Sequence, residues 1–175
     1  MNSPAFDSTP LTIREMSIDD IAPVFHLGES LFTSDRYPSL YRVWDEWEVT
    51  GLFNTEPEYS LIAEITGQLA GFVLGSMISK PSVTYGYIIW LGVNPQMQRC
   101  GIADRLVDRL TERMITDGVR FMLMDTDPAN TAAVNFFRRK GYGNERQHMF
   151  FSLDLAEHDY YGKLIDYERD RRDRR

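Results

Sequence analysis

A mixed α/β domain built around a central sheet is the fold class this sequence predicts, and three observations predict it. Short runs rich in aromatic and β-branched residues recur along the chain; Ile102, Leu106, Leu110 and Met114 repeat every four residues as a helical stripe; and the two kinds of segment interleave. The resulting order is strand, two helices, three strands, helix, strand, helix, strand. At 175 residues, 43% apolar and 26% charged, the chain has an ordinary globular composition and suits one domain with short ends.

Leu11 to Arg14 reads as a first strand. Ser17-Ile18-Asp19-Asp20 then has capping-box character, and Ile21, Phe25 and Leu31 follow at helical spacing. A second helical piece spans Leu40 to Val49 and carries Tyr41, Trp44 and Trp47. Tyr59 to Ile65 and Leu69 to Ile78, divided by Thr66-Gly67-Gln68, form a hairpin. Thr84 to Val93 is a third strand of that group, stopped by Asn94-Pro95, because proline lacks the donor a ladder needs. Gly101 to Thr116 is the striped helix, closed by Gly118, and Val119 to Met124 is a short buried strand. Asp127-Pro128 opens a helix that runs to Lys140 and ends at Gly141, and Gln147 to Leu155 alternates as a last strand. This divides the chain into a 1–10 extension, a domain over 11–155 and a charged helix or tail over 156–175.

Composition excludes several functions. One cysteine, Cys100, rules out a disulfide framework, and the three histidines (His26, His148, His158) form no closely spaced ligand set, so no metal is expected. The longest apolar runs, such as Ile88 to Val93, fall far short of the roughly 20 residues a membrane span requires. The first ten residues have neither a basic start nor an apolar stretch, so a cytoplasmic location is expected. The net charge of −7 argues against nucleic acid as the main partner and suits a cationic acceptor. The last thirteen residues hold six basic and four acidic side chains, a mixed-sign end whose alternative role is docking to RNA.

The most informative stretch is Leu91-Gly92-Val93-Asn94-Pro95-Gln96-Met97-Gln98-Arg99-Cys100-Gly101-Ile102-Ala103. A buried strand leads through a turn into a helix whose first turn holds Gly101 and the small Ala103. Helix N-termini present unpaired N–H groups and about half a positive charge, which favours a phosphate or pyrophosphate; relief of crowding at Gly101 explains the glycine equally well. The stretch lacks the Gly-Lys-Ser/Thr ending of a P-loop and the G-x-G-x-x-G of a dinucleotide turn.

Gln98-Arg99-Cys100-Gly101-Ile102-Ala103 resembles the Q/R-x-x-G-x-G/A acyl-CoA pyrophosphate signature of the GNAT acetyltransferase superfamily. About thirty residues on, Asn130-Thr131-Ala132-Ala133-Val134-Asn135-Phe136-Phe137-Arg138-Arg139-Lys140-Gly141-Tyr142 is similar to that family's second motif, Asn-x-x-Ala-x-x-aromatic running to Lys/Leu-Gly-Phe/Tyr. The resemblance covers about Leu11 to Leu155. It implies the GNAT fold, a mostly antiparallel mixed sheet of six to seven strands, splayed between the fourth and fifth and flanked by about four helices. It implies an acetyl-CoA-dependent N-acetyltransferase acting directly on a primary amine. Tyr87, the Leu91-Gly92-Val93 run, Ala103 and Asp125 resemble the ribosomal-protein and N-terminal acetyltransferase branch, which favours a peptide α-amine over polyamines, amino acids or aminoglycosides.

The resemblance assigns roles. Leu91, Gly92 and Val93 pair with the pantetheine arm as a strand would, with a backbone amide polarising the thioester carbonyl. Gln98, Arg99, Cys100, Gly101, Ile102 and Ala103 hold the pyrophosphate through main-chain N–H groups. Asn130 binds pantetheine, with a helix N-cap as its alternative, and Phe137 flanks the sulfur. Arg99, Arg138 and Arg139 are candidates for the adenosine phosphate. Asp125, at the end of the fifth strand, is the base or amine-orienting anion, with a helix-capping carboxylate as its alternative. Tyr87 is the second catalytic candidate, on a face shared on an ideal strand with Ile89, Leu91 and Val93; an interior aromatic is its alternative.

An α-amine with pKa near 8 costs about 1.4 kcal/mol to deprotonate at pH 7, whereas lysine near 10.4 costs about 4.6, so a weak base suffices for the former. The chain departs from the family at Phe137, where many members place a tyrosine as acid to the leaving thiolate. Water or Tyr142 would have to substitute, or the module binds acyl-CoA with little turnover. Cys100 has no His/Asn partner pattern to make it a nucleophile. His148, Glu64, Trp44, Trp47 and Tyr41 are candidates for lining the acceptor cleft. Dimers are common among GNAT chains, and by that analogy the last strand with Phe150 and Phe151 is the candidate homodimer face.

Overall fold

The computed structural model describes residues 11–35, 37, 42–147, 149 and 151–173. The expectations for residues 1–10, Tyr41, His148 and Phe150 lie outside them. The chain divides into two compact units, one ending at Gly143 and the other running Asn144–Arg175.

The first unit is a sheet with helices on both faces. Its elements are β1 (Leu11–Glu15), α1 (Ile21–Leu31), α2 (Glu46–Thr55), β2 (Ser60–Ile65), β3 (Gln68–Lys80), β4 (Val83–Val93), α3 (Ile102–Thr116), β5 (Phe121–Met124) and α4 (Thr131–Arg139). The five strands lie in chain order, antiparallel from β1 to β4, with β5 parallel to β4. The second unit carries a short 3-10 turn, Leu155–Glu157, and α5 (Asp159–Asp173).

Local chemistry sets these elements. The carboxylate of Asp20 accepts from both the amide and the hydroxyl of Ser17, at 2.7 Å each, and so fixes the entry to α1. Thr66 and Gly67, with φ of 51° and 73°, make the tight turn between β2 and β3. Asp45 caps α2 by accepting from the Glu48 amide at 2.7 Å, so α2 starts later than the aromatic run suggested. Asn130, rather than Asp127-Pro128, is the cap of α4: its side chain accepts from the Ala133 amide at 3.2 Å.

Strand alternation separates the two cores. Leu61, Ala63 and Val73 face α3, where Leu106, Leu110 and Met114 pack; Ile62, Phe72 and Leu74 face the other way, onto Val24 and Leu31 of α1 and Val49 of α2. Trp44 belongs to this second core, its ring 5.3 Å from Phe72 and 5.1 Å from Trp90. Its indole N–H donates to the Phe25 carbonyl at 2.9 Å, so it serves packing rather than a cleft. Trp47 is 78% exposed.

Two expectations are corrected here. The sheet has five strands among the described residues, not six to seven: none of the described residues of 147–155 lies in a strand, because alternation names the face a strand would bury but supplies no partner for its backbone groups. Glu64 does not line an acceptor cleft either. It is paired with Arg14 at 2.8 Å across β1 and β2, the same guanidinium that holds Asp20 at 2.6 Å.

Candidate active site

The site is built where β4 and β5 part. The parallel ladder holds only Tyr85, Gly86, Tyr87 and Ile88 of β4 against Phe121, Met122, Leu123 and Met124. Beyond it, Leu91, Gly92 and Val93 remain paired to Val73, Phe72 and Gly71 of β3, while no described strand covers their other edge. That is the splay expected between the fourth and fifth strands. An open edge presents a row of backbone donors and acceptors, which an extended amide-bearing chain can satisfy by adding as a strand.

A bulge marks the start of the open edge. Leu74 faces Trp90 and Gly75 faces Ile88, so Ile89 is an extra residue without a partner on β3. It also turns the strand over. Ile89 packs with the α1 and α2 core, whereas Leu91 and Val93 pack with the α3 core, so the single face expected for Tyr87, Ile89, Leu91 and Val93 does not exist.

Below the open edge lies the start of α3. Asn94 accepts from the Gln96 amide at 3.0 Å, and Gln98 reaches back to the Val93 carbonyl at 3.5 Å, folding the connection tightly. Arg99 and Gly101 both adopt left-handed backbone, with φ of 66° and 73°. No side chain caps the helix at Gly101. The amides of Gly101, Ile102, Ala103 and Asp104 are therefore the four that no intrahelical carbonyl can reach, aligned with the positive end of the helix. A Cβ at Gly101 would meet nothing within 4 Å, which leaves open space against the backbone. Ile102 is buried in the α3 core, so only its amide is available, and its side chain anchors the helix. Cys100 is exposed, its thiol 3.6 Å from the Gln98 carbonyl.

Continuing the β4–β5 register by one step brings Asp125 level with Ile89, at the mouth of the splay. The Tyr87 hydroxyl donates a hydrogen bond to Asp125 Oδ1. The structure thus joins the two catalytic candidates, which lie 38 positions apart. It adds one residue sequence reasoning missed. Arg42, between α1 and α2, sets its guanidinium 5.5 Å from the Tyr87 ring centre and 3.9 Å from Asp125 Oδ1. A single arginine in a connecting segment has no spacing signal that would single it out.

The second motif is divided between fold and site. Asn130 spends its carbonyl oxygen on the α4 cap, which leaves its amide N–H₂ as the group that can donate to a ligand. Phe137 is 5% exposed, its ring centre 4.9 Å from Phe136 and 5.1 Å from Tyr142, so it sits within the α3-side core. Burial pushes the Tyr142 hydroxyl up to about 12, so it keeps its proton at neutral pH, and it lies 3.9 Å from the Met122 sulfur. Arg139 pairs with Asp104 at 3.5 Å. No His/Cys/Asp/Glu group suited to a metal occurs among the described residues, and no helix among them is long and apolar enough to cross a membrane.

Comparison with known proteins identifies the family. The profile of the family described as Acetyltransferase (GNAT) family matches residues 21–142. An acetyltransferase of Sodalis glossinidius is 25% identical over 153 residues, covering 86% of this chain and 100% of its own. An aminoglycoside N-acetyltransferase crystallised with CoA superposes with a TM-score of 0.65 at 18% identity, covering 86% of this chain and 99% of that one. A ribosomal-protein-alanine N-acetyltransferase from Brucella melitensis biovar Abortus gives 0.65 at 16% identity, covering 82% and 99%.

Proposed function

The chain belongs to the GNAT acetyltransferase family and is an acetyl-CoA-dependent N-acetyltransferase, and from that premise we propose that it acetylates a primary α-amine of a peptide or protein, with Asp125 as the group that receives the amine. The observation that carries the reading is the Tyr87–Asp125 hydrogen bond at the mouth of the splay. Folds of this kind serve aminoglycosides in one relative and a ribosomal-protein alanine in another, so the fold does not choose the acceptor. What supports an α-amine is the cost of deprotonation, about 1.4 kcal/mol at pH 7 against about 4.6 for lysine, beside a solvent-accessible carboxylate that can orient it.

The residues that would hold acetyl-CoA fit it. The open edge of Leu91, Gly92 and Val93 matches an amide-bearing pantetheine arm, the uncapped amides from Gly101 match a pyrophosphate, and the Asn130 side chain keeps an amide donor for a ligand. When bound, acetyl-CoA supplies the activated acyl carbon and a thiolate leaving group. Asp125 Oδ1, fixed by the Tyr87 hydroxyl, orients the acceptor nitrogen and takes its proton as the C–N bond forms and the C–S bond breaks. Phe137 has no proton to give the thiolate, so water protonates it.

Release of CoA from acetyl-CoA, measured across α-amino peptides, lysine peptides, polyamines and aminoglycosides, tests this reading. Turnover greatest on the α-amino peptides and lowered by Asp125→Asn is the expected result. Turnover confined to another amine class would overturn the acceptor, and a fully active Asp125→Asn would overturn the role of the carboxylate.

A further inference from the structure

Resting on the reading of Asp125 as the amine's partner, we infer that the acceptor is an extended peptide lying along β5 on the face of the sheet away from α3. Its third and fifth residues are apolar, and a carboxylate follows at the sixth or seventh. The juxtaposition that carries this is an apolar strip with an anion at one end and a cation at the other: Asp125, then Leu123, then Phe121 beside Tyr85, then Lys80.

Strand alternation brings these side chains together. A Cβ on Gly86 would press on Met114 of α3, and Ile88, Met122 and Met124 pack in the α3 core, so Tyr85, Tyr87, Phe121 and Leu123 point to the opposite face. The register sets Tyr85 level with Phe121 and Tyr87 level with Leu123, and Ile78 of β3 extends the first of these rungs. The hydrogen bond from Tyr87 puts Asp125 on that face too. None of the apolar side chains in these two rungs belongs to either core, and Phe121 is 63% and Leu123 44% exposed. Scattered exposed apolar residues are ordinary on a protein surface, whereas a contiguous strip rimmed by polar groups marks a binding surface.

The length of the strip sets the register of the ligand. Asp125 and Phe121 are about 13 Å apart along the strand at roughly 3.3 Å per residue, and an extended peptide rises at the same rate. With its amine on Asp125, its third residue lies over Leu123 and its fifth over Phe121 and Tyr85. Lys80, whose Cα partner is Val83, stands beyond that rung and turns its Nζ back to 5.7 Å from the centre of the Tyr85 ring. That cation–π contact keeps the ammonium at the far end of the strip, where a carboxylate on the sixth or seventh residue meets it by charge. The strip is thus complementary in sign to a peptide that is cationic at its first residue and anionic past its fifth. A polyamine or aminoglycoside covers no apolar surface there and carries further cations toward Lys80.

The test measures binding of synthetic octapeptides to the full chain loaded with CoA, by calorimetry, and acetylation of the same peptides by CoA release. The parent begins with serine and carries leucine third, phenylalanine fifth and aspartate sixth and seventh. One comparison peptide has serine in place of the leucine and phenylalanine, and another has lysine in place of the two aspartates. The parent is expected to bind at least tenfold tighter than either. Phe121→Ser combined with Leu123→Ser should bring the apolar ratio to within twofold and keep the charge ratio, whereas Lys80→Glu should reverse the charge preference and keep the apolar ratio. Unchanged acetyl-CoA affinity certifies the fold of each variant. Ratios near one in the native protein, or ratios that survive these substitutions, would overturn the inference. So would a native dimer in sedimentation equilibrium that Phe121→Ser dissociates without moving the peptide ratios, since the strip would then belong to a second copy. Peptides acetylated equally well whatever follows the amine would sink the inference and spare the function proposed above. The expected binding ratios with no acetylation would do the reverse.

Discussion

Along β4, Tyr85 to Ile88 have a strand on each side, whereas Leu91 to Val93 have β3 on one side and an open edge on the other. The first half is laddered on both edges, and on its α3 side Gly86 packs so closely that a Cβ would sit 2.4 Å from the Met114 sulfur. The second half has filled faces and one unfilled edge. A Cβ at Gly92 would meet Phe72 at 2.8 Å, yet one step beyond the ladder there is Asp125 instead of a continued β5. One strand thus has both a laddered half and an open edge, and the bulge at Ile89 lies at the change. In the proposed reaction, groups placed beside that edge inherit the stiffness of the paired half, which is what near-attack geometry requires.

Substitutions in the two halves should separate stability from ligand binding. The largest effect is expected from Leu110→Ala under the closed half, where a fully buried side chain packs beneath Gly75. A loss of about 3 kcal/mol in urea unfolding is predicted, with unaltered affinity for acetyl-CoA in the remaining folded protein. Next is Gly101→Glu beside the open half. A carboxylate at the helix N-terminus opposes a pyrophosphate, so affinity for acetyl-CoA should fall about a hundredfold in a direct binding assay. The left-handed backbone there costs a side chain only about 1 kcal/mol of stability.

Asp125→Asn is expected to lower kcat/KM for an α-amino peptide about thirtyfold at pH 7 and to leave acetyl-CoA binding unchanged. The loss is modest because little free energy is needed to deprotonate such an amine. The smallest effect lies away from β4. Arg14 beside Asp20 holds that carboxyl down at about 2, below its ordinary 3.8, so its contribution is complete above pH 4 and is lost as pH falls through 2. Asp20→Asn should cost about 1 kcal/mol at pH 7, and the gap to the native protein should close in acid unfolding curves.

Much of this arrangement was legible in the chain. The stripe of Ile102, Leu106, Leu110 and Met114 became the buried face of α3, and Asn94-Pro95 and Gly118 ended their elements because a missing donor and a left-handed turn act locally. The candidates Tyr87 and Asp125 meet although nothing in their spacing requires it. What was illegible depends on pairing. A bulge is a property of two strands, so the change of face after Ile89 left no mark in the alternation of β4. The alternation of Met149, Phe151, Leu153 and Leu155 suggested a strand for which the described residues supply no partner. Arg42 gains its meaning only from the tyrosine and carboxylate that folding brings to it.

Backbone hydrogen exchange on the native protein, with and without acetyl-CoA, tests most directly whether the open edge of β4 and the start of α3 form one binding surface. Protection is predicted to appear at the open-edge amides of Ile89 to Val93 and at the amides of Gly101 to Asp104, while Tyr85 to Ile88, already laddered on both sides, remain as they were. Protection that spreads evenly over both halves of β4, or that spares the open half, would contradict it.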